Sequence, residues 1–188
     1  MEKRIVLGSG KLFVILYTGE IPNDTTIETE NNRIGAIQGG ASLEYSSEFY
    51  EAKDDSGVYV KQIMTNEDVL LKSGIMTWNG STLSKLCQTA RVTETAEKRT
   101  VKIGGVGNAD GKKYLIRFLH EDPIDGDIRV TIVGSSQAGF TIAFAKDKET
   151  VIDAEWKAMP HDSEGTLVIY EEEIKAQEEK KDVTGEEG

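Results

Sequence analysis

The sequence is poor in the residues that build chemistry. It has one cysteine, Cys87, two histidines and three prolines in 188 residues. A lone thiol excludes an intrachain disulfide framework and fits a reducing compartment. His120 and His161 have neither metal-ligand spacing nor the cysteine beside them, so each reads as an ordinary strand-end or turn residue. Basic residues are also scarce. Lys and Arg number 22 against 33 Asp and Glu, a net charge of −11 and a pI near 4.7. Tight binding to a phosphate backbone needs clustered cations and is disfavoured. No run approaches the roughly 18 apolar residues of a membrane span. Ile5, Val6 and Leu7 give way to Gly8-Ser9-Gly10 too soon for a secretory leader, and synthesis and folding in a cytoplasm are expected.

What remains is an ordinary folded composition. Hydrophobic residues make up 38% and charged residues 29%, which excludes a collagen-like or wholly disordered chain. The length suits one domain able to bury roughly 70% of its unfolded surface.

Period-two alternation dominates. Residues 11–18 (KLFVILYT) form a continuous apolar run of strand length, with both faces expected to be covered. Residues 20–34 are polar, contain Pro22, and read as a loop or arm wrapping the surface. Residues 35–51 alternate Ala41, Leu43 and Tyr45 against Ser42, Glu44 and Ser46. After a turn at 53–57, alternation resumes and runs through Val69, Leu71, Ser73 and Ile75. The two stretches describe a long hairpin whose distal end, 47–66, is too polar for a core. A projecting β-arm is the simplest reading, and a surface loop is the plain alternative.

One helix is expected after Asn79 or Ser81 as cap, with Leu83, Leu86, Cys87 and Ala90 on one stripe. Cys87 would then be a small hydrophobe rather than a nucleophile. Strands follow at 99–103 and 113–120, linked by the glycine-rich stretch 104–111. A hairpin of 127–133 against 140–145 and strands at 151–157 and 166–170 complete the set. Residues 171–188 hold eight acids against three lysines, net −5, so a domain at 1–172 and an acidic, disordered tail at 173–188 are expected.

No constellation reaches the level of an active site. In 104–111, Val106 stands where a Walker loop needs glycine and Lys113 where it needs Ser or Thr. Asp122, Asp125 and Asp127 could hold Ca²⁺ only weakly without the twelve-residue loop and its terminal Glu, and a β-turn is the plainer reading. No enzyme activity, cofactor or metal is expected.

Five stretches in order, residues 6–12 (VLGSGKL), 37–45 (IQGGASLEY), 72–80 (KSGIMTWNG), 128–135 (IRVTIVGS) and 140–150 (FTIAFAKDKET), resemble the major tail tube proteins of long-tailed bacteriophages and prophages. The resemblance spans about residues 5 to 172. It implies a mainly β fold: a β-sandwich or partial barrel with one flanking α-helix and a long projecting hairpin arm, shared with the type VI secretion tube protein. It also implies hexameric rings stacked into a tube around a continuous inner β-barrel, to which the strands around 36–50, 66–78, 126–134 and 137–146 would contribute. The implied partners are other copies of the chain, a tape measure protein inside the tube, and tail terminator and tail-tip proteins. Double-stranded DNA would pass without tight binding, no membrane is involved, and the location would be a virion tail assembled in the bacterial host cytoplasm.

Six subunits with four strands each at about 4.8 Å give a barrel of roughly 37–48 Å backbone diameter, wide enough for duplex DNA. A small, polar, acidic wall would let phosphate slide. On that implication Ser42, Glu44, Ser46, Lys72, Arg129, Thr131, Thr141 and Ala143 would face the lumen, with ordinary solvent exposure as the alternative. Lys72 and Arg129 suit such a wall only beside compensating acids. Phe49, Tyr50, Asp54, Asp55, Val58 and Tyr59 on the arm would meet a neighbouring subunit or ring, as would 20–34. Both segments are expected to be mobile before assembly. A monomeric β-sandwich that binds a ligand with its turns is the alternative function.

Overall fold

The computed structural model describes residues 8–58, 60–137, 139–142, 144, 146–147 and 149–175. In chain order the elements are β1 (Lys11–Leu16), α1 (Asp24–Ile27), β2 (Arg33–Gly35), β3 (Ile37–Lys53), β4 (Val60–Ile75), α2 (Gly80–Leu86), β5 (Arg91–Glu94), β6 (Arg99–Lys102), β7 (Tyr114–His120), β8 (Ile128–Ser136), β9 (Ile152–Ala158) and β10 (Val168–Glu172). The fold is mainly β, as expected. One antiparallel sheet runs β2-β1-β7-β8-β9-β4-β3, and β10 lies against the first part of β8.

The sheet curls until its ends nearly meet. β2 is one edge and β3 the other, yet only Ala36 separates them in the chain. The Ala36 carbonyl accepts from the Met76 amide at 2.8 Å, and its own amide donates to Thr77 Oγ1 at 2.7 Å. A Cβ at Gly35 would lie 2.0 Å from the Thr77 carbonyl oxygen, so the seam admits only glycine there. Just beyond, Gln38 pairs with Gly74 and Ala41 with Ser73. Gly39 and Gly40 bulge out between them at φ of 80° and 75°, bending β3 away from the barrel. The result is a partial barrel.

Alternation sets two cores. Leu12, Val14, Ile116, Ile132, Ile152, Ala154, Trp156, Leu71 and Ile75 share the inner face and are buried there. Helix α2 caps this face with Leu86 and Leu83. Its cap is Asn79, whose side chain accepts from the Ser81 and Thr82 amides, and the Thr82 hydroxyl returns to the Asn79 amide. On the outer face, Phe13, Leu115, Leu119 and Val133 form a second cluster with Ile27. Both faces of β1 are therefore covered, which explains its unbroken apolar run.

Three expectations need correction. The segment 20–34 is no wrapping arm: Asn23 caps the one-turn helix α1, and Ile27 is completely buried over the outer face. The pairing of 127–133 with 140–145 does not form among the described residues. β8 takes β7 along one edge, with β10 and then β9 along the other, and Ile142 makes only an isolated bridge to Ile152. Alternation identifies a face but not a partner, and the apolar ladders of β7 and β10 claim both edges. Finally, α2 ends at Leu86. Cys87 is its extended C-cap, half-buried, and the chain returns through β5, the strand with which β6 pairs.

The long hairpin is present. β3 and β4 pair from Ile37–Ile75 to Lys53–Val60, but β9 accompanies β4 only from Leu70 onward. Past that point the ribbon is two-stranded, and residues 60–68 carry it about 25–30 Å outward at roughly 3.4 Å per residue. Of the tail expected from residue 173, Glu173 still bonds to the Asp127 carbonyl at 2.9 Å. Residues 176–188 lie outside the described residues.

Candidate assembly surfaces

The outer face of the sheet is divided. Over β1, β7 and β8 it is covered by α1; over β9, β4 and β3 it is open and polar. Register places Ser42 opposite Lys72, Glu44 opposite Leu70 and Ser46 opposite Asp68. On the other side of β4, Lys72 faces Glu155 and Leu70 faces Lys157. Lys72 Nζ donates to Glu44 Oε2 at 2.8 Å and lies 3.4 Å from Glu155 Oε2. The hydrogen bond to Glu44 raises its pKa above the ordinary lysine value. Lys157 Nζ lies 2.6 Å from Asp68 Oδ1. With Asp153, four acids face two lysines, so both cations are answered locally and the open face stays acidic.

Thr141 joins this face. With Ser42, Lys72, Asp153 and Glu155 it lines an open cavity of about 420 Å³ beneath the Gly39-Gly40 bulge. Two other expected members are elsewhere. Thr131 is 1% exposed and accepts from Arg117 Nε at 2.9 Å. Arg129 gives Nε and Nη2 to Glu28 at 2.7 and 3.2 Å. Both lie under or beside α1, which takes them off any open wall. Ala143 falls outside the described residues.

Sequence reasoning missed Asp68, Asp153, Glu155 and Lys157. The alternation of VIDAEWK, with Ile152, Ala154 and Trp156 facing in, carried the signal for three of them.

The arm is the second surface. Phe49 pairs across the ribbon with Met64, and Tyr50 with Ile63. Successive residues of a strand point to opposite faces, so each face carries one apolar pair. All four side chains are about half exposed. A bulge that leaves Thr65 unpaired sets this phase, and its Oγ1 donates to the Glu48 carbonyl at 3.2 Å. At the tip, Asp54, Asp55, Ser56 and Gly57 turn the chain, with the Gly57 amide on the Asp54 carbonyl at 3.0 Å. Val58 is 72% exposed beside them. Tyr59 is outside the described residues. Ile63 and Met64 were not singled out from sequence, because a six-residue polar frame around them hid the alternation.

Among the described residues there is no group of three or more His, Cys, Asp or Glu placed to hold a metal ion, and no helix long and apolar enough to cross a membrane. His120 is buried with Nδ1 2.8 Å from the Ser9 carbonyl oxygen.

No protein-family model and no curated protein matches the chain. Among solved structures it is similar to a chain in the virion of a native gene transfer agent particle. The two share 9% identity at a TM-score of 0.42, over 85% of this chain and 95% of that one.

Proposed function

We propose that this chain is the structural subunit of a phage or phage-derived tail tube, copies of which close into hexameric rings and stack around a DNA-conducting lumen. The observation that carries the reading is the state of β3. It is an edge strand of 17 residues with no strand on its outer side among the described residues, and its distal half exposes apolar pairs on both faces. Isolated two-stranded ribbons are marginal in water, and long open edges invite pairing. Such a strand is suited to a chain that finishes folding against copies of itself.

The open face supports the same reading. Its small side chains, paired lysines and residual negative charge would repel phosphate and let DNA or a tape measure protein slide past. The role is structural, with no catalysis.

Negative-stain electron microscopy over a concentration series tests the proposal. Hollow rings or tubes with a regular axial repeat are expected. Compact monomers at every concentration, even with tail-tip complexes added as nuclei, would sink it in favour of a β-sandwich binding module.

A further inference from the structure

Strand β4 has an open edge of its own. Its neighbour β9 leaves it at Lys157, opposite Leu70, and two residues later the Met159 amide donates to the Val133 carbonyl at 2.7 Å. From Val69 back to Val60, β3 covers one side of β4, and no strand covers the other among the described residues. The space left in the line of β9 is a groove of about 530 Å³, lined by residues 64–68 of β4 and by Ala158, Met159, Pro160 and Leu167. At this groove Lys157 is taken by Asp68 at 2.6 Å. Glu67 meets the Tyr45 hydroxyl at 3.3 Å and no cation among the described residues.

The chain holds a segment of matching chemistry. Residues 3–7 (KRIVL) set two cations beside three consecutive apolar residues, two of them of the β-branched kind that favours strands. They precede Gly8, which lies at the end of β7, where an added Cβ would stand 3.5 Å from His120 Cε1. His120 pairs with Ile128 at the start of β8, whereas Ala158 at the groove pairs with Gly134. Those two positions on β8 are about 20 Å apart. Ile5 can lie no more than about 11 Å from Gly8, so the apolar triplet cannot reach the groove of its own copy.

We infer that residues 3–7 of one copy add as a strand to the open edge of β4 in the next, with Ile5, Val6 and Leu7 against the apolar lining and the two cations at Glu67. The inference rests on the tube reading for its partner, a second copy. An unpaired strand edge is a template for another chain, and in strand addition the backbone supplies affinity while apolar contacts set register. Segment and groove lie toward opposite ends of β8. The contact therefore joins two different patches and links copies in a row instead of closing a pair.

Two variants separate the halves of the contact. Ile5→Asp with Leu7→Asp, which share one face of a strand, spoils the segment and leaves the groove. Met159→Asp spoils the groove and leaves the segment. Sedimentation velocity reads association, and circular dichroism verifies that each variant is folded. Each should weaken association about tenfold or more. Mixed in equal amounts, one chain supplies an intact segment and the other an intact groove, so pairs holding one of each should form. A peptide of residues 1–8 in large excess should inhibit assembly of the unaltered chain, and the same peptide with both Asp changes should not.

Variants that associate like the unaltered chain, a mixture that pairs no better than either component, or a peptide without effect would overturn the inference. Negative-stain images distinguish it from the parent reading. Tubes of full length in both variants end this contact alone. Strings of the unaltered chain that lack a lumen, and that both variants break up, support the contact and end the tube reading.

Discussion

Arg117 and Arg129, on neighbouring strands, converge on one carboxylate oxygen of Glu28. Arg117 Nη1 donates to Glu28 Oε1 at 3.2 Å, and Arg129 Nε reaches it at 2.7 Å. Asp24, one turn earlier on the same helix, pairs with both guanidiniums. The Arg117 side chain is 3% exposed, so the helix is both a lid for the outer core and the counter-charge for a buried cation.

Removing that counter-charge should be costly. Glu28→Ala leaves Arg117 and Arg129 only their more exposed carboxylate partners and is expected to destabilise the monomer by about 2 kcal/mol, the usual size for lost hydrogen bonds to a charged group. Glu51→Ala breaks only the exposed pair with Lys53 and should change stability by less than about 0.5 kcal/mol. Urea unfolding of both variants checks the contrast.

The barrel seam offers a second test. Gly35→Ala drives a methyl group into the Thr77 carbonyl and should cost more than about 1 kcal/mol. Gly19→Ala has open space around its Cβ, although its positive φ keeps it from being neutral. A larger fall in Tm for the Gly35 variant is expected, and equal falls would refute a seam collision.

For the arm, Phe49→Ser with Ile63→Ser removes one apolar side chain from each face of the ribbon. Both are exposed in the monomer, so each change should move monomer stability by no more than about 0.5 kcal/mol. Assembly should be lost or weakened by about tenfold or more, as at interface anchors. Light scattering against concentration separates the two effects.

A pH dependence resides in the turn after β9. Asp162 accepts hydrogen bonds from the Thr166 and Glu164 amides at 2.9 and 3.0 Å, and the bonding to Thr166 holds its carboxyl below the usual 3.8. A folded value below the unfolded one means the stabilisation is complete above 3.8 and disappears as pH falls through the lower folded value. The Thr166 amide resonance should titrate in that acid range and stop doing so in Asp162→Asn. An unchanged titration in the variant would show that another group is responsible.

Much of this architecture is legible in the sequence. The unbroken run of β1 announces burial on both sides, and the Asn79 cap marks the start of α2. The hairpin appears as two alternating stretches whose polar ends face each other. Other parts are hidden for physical reasons. Helix α1 sends one apolar residue, Ile27, into the core, too little for a periodic signal, and its hold comes from arginines 89 to 105 residues away in sequence. The open face is half legible: Ser42, Glu44, Ser46 and Lys72 emerge from the hairpin, but Glu155 and Lys157 need to be known as neighbours of β4. The second strand against β8 is set by competition among equally alternating segments, which no local pattern records.

The single residue between β2 and β3 has a mechanical consequence. One residue reaches at most about 3.6 Å, less than the roughly 4.8 Å between neighbouring strands. The base of β3 therefore cannot slip sideways by one strand unless β2 peels from β1. A load applied to the arm reaches the line where the barrel shuts through the Gly39-Gly40 bulge, and the arm acts as a lever with its fulcrum near Ala36. Whatever grips the tip of the ribbon also draws that line tight or prises it open.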